Sequence, residues 1–124
     1  MKPNTKAILV TANGCCRPVL LDDIEDIYKY LGCQFFDVVR VTPDTDIFID
    51  DAGLINQRPM NMVASLIAIT KTGLPYQLVG DALIFGHDGH GESADCPKWV
   101  YAALSELNEK TSPAKKEDSD ATAV

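Results

Sequence analysis

Apolar residues run along two neighbouring segments near the start of the chain in the pattern of β-strands. Residues 6–12 are apolar and β-branched, which predicts a first strand, and residues 17–21 are predicted to return beside it. Asn13 and Gly14 between them suit a two-residue hairpin turn, because both residue types tolerate positive φ. Pro18 lacks a backbone donor, so the return strand is expected at an edge of the sheet.

Two later segments carry the apolar spacing of amphipathic helices. In the first, apolar residues recur at i, i+3, i+4 and i+7 between Asp23 and Gly32, which predicts an aspartate cap and a glycine stop. The second is predicted over residues 61–71, with Asn61 as its N-cap and Gly73 as its terminator. A capping asparagine accepts a hydrogen bond from an amide of the first turn, which stabilises a helix by about 1 kcal/mol.

The remaining patterns are those of strands and of one further helix. Strands are predicted at three more places, namely residues 34–41, 47–49 and 77–86. Residues 54–55 are a candidate return strand for the short strand at residues 47–49. The last helix is predicted to begin at Pro97, with Asp95 as its cap.

The order of these elements predicts the fold class. Two hairpins without a regular βαβ alternation indicate an α+β fold, with a small mixed or antiparallel sheet and about three helices packed on it. We expect one domain over residues 1–109. Residues 110–124 are polar, charge-mixed and contain proline, and they are predicted to be a disordered tail.

Composition and charge narrow the classes of protein and of partner. The 124 residues carry a formal net charge of −7 and no cluster of Lys and Arg inside the predicted domain, so direct nucleic-acid binding is not expected. No apolar run approaches the roughly 20 residues of a membrane helix, and the apolar start is shorter than that of a signal peptide. A cytoplasmic protein is therefore expected, and its four cysteines are expected to be free thiols.

A glycine-rich loop holds both histidines of the chain and is the sharpest candidate for metal chemistry. Imidazole and carboxylate groups bind zinc and other divalent metals, and the loop has four of them: His87, Asp88, His90 and Glu92. Their spacing matches no metal motif, and Asp88 followed by Gly89 is itself a turn signal. We therefore interpret the loop as an exposed hairpin tip, with a metal-dependent enzyme as the alternative.

Two further patterns have a chemical as well as a structural interpretation. Asp44, Asp46, Asp50 and Asp51 form an acidic patch, which is either a solvated face or a mimic of DNA phosphates that occupies a host DNA-binding protein. Cys96 precedes a predicted helix, and a helix N-terminus can lower the pKa of a thiol. Without a nucleophile motif around it, a small buried hydrophobe is the simpler interpretation of this cysteine.

Several segments in a fixed order resemble one known family. They are residues 38–41 with the Asp-rich turn after them, residues 54–61, residues 78–84, and the turn at residues 88–89 that leads to residues 96–97. Together with residues 7–14 they are similar to the domain-of-unknown-function family 3846. The resemblance covers nearly all of residues 6–107 and implies a small protein of a bacteriophage, plasmid or bacterium. It implies no established chemistry and no cofactor.

The resembling segments supply the candidate binding residues, which are Arg58, Met60, Asn61 and Asp81. Asn61 is the polar position associated with the family pattern, and it also sits where a helix cap belongs. A structural cap is the simpler interpretation, while a ligand contact is favoured by the affinity of helix starts for anions.

The sequence shows no catalytic constellation, so we expect a non-enzymatic binding protein, and the family resemblance implies that it is an accessory protein of a bacteriophage or mobile element. Its expected partner is a host protein or a small metabolite such as a nucleotide signal, which would fit a counter-defence role. Flexible and apolar side chains around residues 54–62 are a candidate partner or homodimer surface if they are exposed.

Overall fold

The computed structural model describes residues 1–111, with side chains described for residues 1–107. Six strands and three helices follow one another: β1 Thr5–Val10, β2 Cys16–Leu21, α1 Ile24–Leu31, β3 Phe36–Thr42, β4 Thr45–Asp50, α2 Met62–Thr72, β5 Ala82–His87, β6 Ser93–Ala94 and α3 Lys98–Thr111. Residues 112–124, most of the predicted tail, lie outside the described part of the chain.

All strands belong to one antiparallel sheet in the order β2-β1-β5-β4-β3, with β6 paired to the end of β5. The α+β prediction is confirmed. The strand that contains Pro18 is at an edge of the sheet, as the missing backbone donor required.

The strand register sorts side chains onto two faces of the sheet. Ile8, Ile84 and Ile47 are paired across three strands and share one face. On that face Ile8 lies beside Tyr101 and Leu104 of α3, and α3 packs in turn near Ile67 of α2.

The opposite face of the sheet carries α1. Leu83 is paired with Leu9 on one side and with Phe48 on the other, so these three side chains share this face. Helix α1 has eight residues and is therefore about 12 Å long. It contacts β2, β4 and β5 and leaves part of the β3–β4 side of the sheet open.

The helix ends agree with the local signals of the sequence. Asp23 caps α1 in a capping box with Asp26, and Gly32 ends the helix at φ 61°. Asn61 caps α2 through a bond from the amide of Ala64, as predicted.

Three local predictions are wrong, and in the last of them long-range contacts replace the local pattern. The first hairpin has a five-residue loop between Val10 and Cys16, and its Gly14 but not its Asn13 has a positive φ. Residues 54–55 lie in a turn and form no strand. Residues 77–81 stay outside the sheet, since Leu78 and Gly80 form backbone hydrogen bonds with residues 59–61.

Within residues 1–111, none of the helices has the length and apolar character needed to cross a bilayer.

Candidate ligand-binding cavity

The open part of the α1-bearing face forms a cavity of about 510 Å³. It lies between the start of α1, the strands β3, β4 and β5, and the loop of residues 88–92. Its volume falls within the roughly 300–1,000 Å³ that is usual for small-molecule sites. We refer to this space as the α1 cavity.

Aromatic side chains form the floor of the α1 cavity. The rings of Phe48 and Phe85 are stacked, with centroids 4.6 Å apart and planes 8° apart. Phe36 meets Phe48 edge to face at 5.2 Å. Ile24 and Ile27 of α1 line the opposite side. Phe85 is buried, whereas Phe36 and Phe48 are half-buried, so the cavity offers aromatic surface to a ligand.

One charged cluster, which we call the Arg40–Asp46–His87 cluster, also lines the cavity. Arg40 Nε lies 3.2 Å from Asp46 Oδ1, and His87 Nδ1 lies 3.0 Å from Asp46 Oδ2. The Asp46 side chain is 9% exposed, whereas that of Arg40 is 64% exposed. Because a carboxylate only accepts hydrogen bonds, Nδ1 of His87 carries the proton in this contact, and Nε2 is the nitrogen left for another partner.

The strand register places this cluster. Arg40 and Asp46 are directly paired across β3 and β4, and Asp46 is directly paired with Phe85 of β5. His87 is two residues beyond Phe85 and so points to the same face. The cavity therefore combines an apolar floor with a few convergent polar groups, the usual composition of a ligand site.

The loop beside the cavity is held by Asp88. Its Oδ1 accepts hydrogen bonds from the amides of His90 at 2.7 Å and Glu92 at 3.2 Å. The bond from the His90 amide is the main cause that lowers the pKa of Asp88 below its ordinary value. The structure thus uses Asp88 to close a turn, as the interpretation of the loop as a hairpin tip requires.

The four metal candidates of the sequence do not converge. His87 pairs with Asp46, Asp88 binds loop amides, His90 is exposed, and Glu92 Oε1 lies 3.2 Å from the α-amino group of Met1. Among the described residues, no three His, Cys, Asp or Glu side chains are grouped so that they could hold a metal ion. The geometry therefore gives the metal-dependent enzyme no support.

Asn61 is fully buried, and its side-chain atoms are occupied by the protein itself. Its Nδ2 donates to the carbonyls of Val10 and Gly80, both at 2.9 Å, and its Oδ1 accepts from the Ala64 amide at 3.0 Å. These bonds join β1, the segment before β5 and the start of α2. In this arrangement a ligand cannot reach Asn61, so its role is structural.

Arg58 and Asp81 also bind other parts of the chain. Arg58 Nε lies 2.6 Å from Asp50 Oδ2, and its Nη2 donates to the Gly32 carbonyl at the end of α1. Asp81 Oδ1 accepts from the amide of Ala12 at 3.0 Å. None of these residues lines the α1 cavity.

Met60 is the one exposed member of the predicted binding set. It shares a shallow surface pocket with the exposed Met62 and Ile69 of α2, and Leu74, just beyond the end of α2, is also exposed. We call these four residues the α2 apolar patch. None of them lines the α1 cavity.

The predicted acidic patch is divided by ion pairing. Asp46 is paired with Arg40 and His87, and Asp50 with Arg58. These two carboxylates stand at opposite ends of β4, about 13 Å apart at the usual rise per residue. Of the four carboxylates only those of Asp44 and Asp51 are exposed. Two exposed charges give little support to the interpretation of this patch as a mimic of DNA phosphates.

Cys96 is expected to be the slowest of the thiols to react. It is 7% exposed, and burial raises its pKa to about 12, so almost none of it is thiolate at neutral pH. In a titration of the native protein with a disulfide reagent near neutral pH, the exposed Cys15 and Cys16 should react first and Cys96 only with unfolding. Mass mapping of the labelled peptides checks this, and rapid native labelling of Cys96 would revive the nucleophile interpretation.

Sequence reasoning named His87 but missed most of the cavity. The missed residues are Phe36, Arg40, Phe48 and Phe85, together with the pairing of Asp46. A partial signal was present, because Arg40 and Asp46 are charged residues on strands made largely of apolar and β-branched residues, although Asp37 and Asp50 on the same strands carry the same signal. The alternation of side chains along a strand shows which of its residues share a face, but it does not show which strands are neighbours in the sheet.

The fold and cavity define a small antiparallel α+β domain with a ligand-sized space on one face of its sheet. Residues 4–108 match the model of a family described as a domain of unknown function, DUF3846. The chain belongs to this family, as the resembling segments and their order along the sequence indicated. No curated protein and no solved structure matches it.

Proposed function

We propose that this protein is a non-enzymatic binding protein that holds a small metabolite in the α1 cavity. The observation that carries the proposal is the cavity itself, with its aromatic floor and the Arg40–Asp46–His87 cluster. Binding needs only this complementary surface. Acyl or phosphoryl chemistry would need a nucleophile or a metal beside the polar groups. Among the described residues, the cavity lining contains no cysteine and no grouped set of metal ligands, and the hydroxyl of its serine, Ser93, is hydrogen-bonded to the Lys2 amide and to Thr5 Oγ1.

The biological setting we propose is the cytoplasm of a bacterium, where a bacteriophage or mobile element makes the protein as an accessory factor. Three features support this setting: the family resemblance, the acidic composition of the chain, and its four cysteines, all of which are free thiols in the structure. A protein that sequesters a host metabolite, such as a nucleotide signal, would act in counter-defence without any catalytic step.

Metabolite capture tests the proposal directly. The purified protein is incubated with the fraction below about 1 kDa of a bacterial extract, separated from free compounds, and analysed for retained masses; ligands of this size bind in sites of roughly 300–1,000 Å³. The Ile24→Trp variant is expected to lose the retained compound, because Ile24 is half exposed at the cavity and a larger ring there fills the space.

The matched control is Ile69→Trp, which makes the same substitution at an exposed helix position outside the cavity. Retention by the wild type and by this control, but not by Ile24→Trp, supports the α1 cavity as the site. Equal retention by both variants would place binding elsewhere, and no retained compound in any sample would contradict the proposal.

A host protein is a second candidate partner, favoured by one observation. The α2 apolar patch, made of Met60, Met62, Ile69 and Leu74, is exposed, and two of its residues are flexible methionines that adapt to different partners. A second copy of the chain would also cover it. Size-exclusion chromatography with light scattering measures the molar mass in solution. A dimer mass that falls to the monomer mass in Met62→Lys would indicate a homodimer through this patch, whereas a monomer mass for the wild type would leave the patch free for another protein.

A further inference from the structure

We propose that the ligand of the α1 cavity is an aromatic anion: a planar ring that carries a carboxylate or a phosphate. This inference rests on the proposed function and adds the chemical class of the metabolite. Its basis is the division of the cavity lining into an aromatic floor and a charged cluster in which the Arg40 guanidinium keeps free hydrogen-bond donors.

The aromatic half of the inference follows from the floor. Phe36 and Phe48 are half-buried and meet edge to face, and Phe48 stacks on the buried Phe85. A ligand ring can therefore extend an existing aromatic array, either by stacking or by an edge contact. Ile24 and Pro43 add aliphatic surface to the cavity lining, so apolar contacts for a ring are not limited to the aromatic floor.

The anionic half follows from which atoms of the cluster are already bound. Both carboxylate oxygens of Asp46 are in contacts with Arg40 and His87, and the Asp46 side chain is 9% exposed. Within the described part of the chain Arg40 bonds through Nε alone, and its side chain is 64% exposed. Four of the five N–H donors of its guanidinium therefore remain, in the planar arrangement that binds carboxylate and phosphate oxygens in pairs.

Asp46 acts in this arrangement as a positioning residue. Its buried carboxylate fixes the orientation of the guanidinium and holds the imidazole in one tautomer. It is poorly placed to receive a cationic ligand, because its oxygens are buried and paired. Glu92 is the other carboxylate of the lining, and it is at the rim beside the α-amino group of Met1.

Matched ligand series test the class by ligand-observed NMR titration. The first series is naphthoate, naphthamide and naphthylmethylamine, which keep one ring system and change the charge. The second is adenosine monophosphate, adenosine and inorganic phosphate, which tests the phosphate source of the same chemistry. At least one ring-bearing anion should bind about tenfold more tightly than its neutral analogue, since hydrogen bonds to charged groups are roughly twice as strong as neutral ones.

Two variants locate the anion. Arg40→Gln should remove that advantage, while Arg40→Lys keeps the charge without the planar pair of donors and should retain part of it. Arg17→Gln makes the same charge change outside the α1 cavity and should leave the advantage intact. Circular dichroism and thermal unfolding of each variant confirm that the fold is kept, and Arg40→Lys decides the question if Arg40→Gln does not fold.

The outcomes separate the class from the proposed function. Three results would overturn the aromatic anion while leaving a small-molecule site. They are equal binding of the anion and its neutral analogue in both series, equal loss of the advantage in Arg17→Gln and Arg40→Gln, and inorganic phosphate that binds as tightly as the nucleotide. If neutral or cationic members of the series bind the wild type and this binding is lost in Ile24→Trp, the α1 cavity binds a ligand of another chemical class. If the α1 cavity takes no member of either series and metabolite capture also gives nothing, both inferences fall.

Discussion

Replacing Asn61 by aspartate is expected to destabilise the folded domain by about 4 kcal/mol at neutral pH. The substitution keeps the shape of the side chain and the acceptor for the Ala64 amide. It removes the two donors that bind the carbonyls of Val10 and Gly80, and each buried group left without a partner costs about 1–3 kcal/mol. A carboxylate oxygen would then face both carbonyls. Urea unfolding of the wild type and variant measures the loss.

Two further variants make this prediction specific. Asn61→Ala removes the cap as well as both donors and should be destabilised by a similar amount, about 3–5 kcal/mol. Asn56→Ala is the matched control, because Asn56 is exposed and its side chain reaches Asp50 only through a long bond of 3.4 Å; its effect should stay near about 0.5 kcal/mol. A loss below about 1 kcal/mol for Asn61→Asp would show that these buried bonds contribute little.

Asn61 also shows how far the sequence could go. Its capping role is local, since the bonded amide is three residues away, and the polar residue before an apolar run indicated it. Its other partners are 51 and 19 residues away in the chain. They become neighbours only when β1 and β5 pair in the sheet, and no short-range pattern encodes that pairing. The caps of α1, Asp23 and Gly32, were predictable for the same reason, because their capping contacts are also local in the sequence.

The α1 cavity was not predictable because its parts are brought together by strand order. Asp46 and His87 are 41 residues apart, and they meet because β4 and β5 are adjacent. The sequence grouped His87 with its chain neighbours in the loop, whereas the sheet gives it a partner on another strand. Phe48 and Phe85 lie within predicted strands, and nothing in the sequence shows that the shortness of α1 leaves part of Phe48 available to a ligand.

Replacing Arg58 by methionine is expected to destabilise the domain by roughly 3 kcal/mol at pH 7, because it leaves a buried carboxylate without its cation. Asp50 is 4% exposed, and Arg58 Nε lies 2.6 Å from its Oδ2. Burial raises the pKa of Asp50, but hydrogen bonds from the Ala52 amide and from Arg58, with the charge of Arg58, outweigh it and lower the pKa below its ordinary value. The variant also loses the bond from Nη2 to the Gly32 carbonyl.

The sign of the pH dependence follows from that lowered pKa. In the wild type, Asp50 contributes stability above the ordinary aspartate pKa of about 3.9, and this contribution is lost as the pH falls through the lower folded value. In Arg58→Met the burial remains without the cation, so the difference between the two proteins should be largest at neutral pH and should narrow towards pH 3. Urea unfolding of both proteins at pH 7 and pH 3 measures this.

A second substitution separates the buried charge from the lost side chain. The double variant Asp50→Asn with Arg58→Met keeps an acceptor for the Ala52 amide but removes the unpaired carboxylate, so it should be more stable than Arg58→Met at pH 7. Arg17→Met is the control, because Arg17 lies 5.8 Å from the Tyr30 ring centre and, among the side chains of residues 1–107, does not pair with a buried carboxylate such as Asp50; it should cost about 1 kcal/mol or less. If the double variant is no more stable than Arg58→Met, the loss comes from the packing and the Gly32 bond of Arg58, and the segment before α2 is held by those contacts.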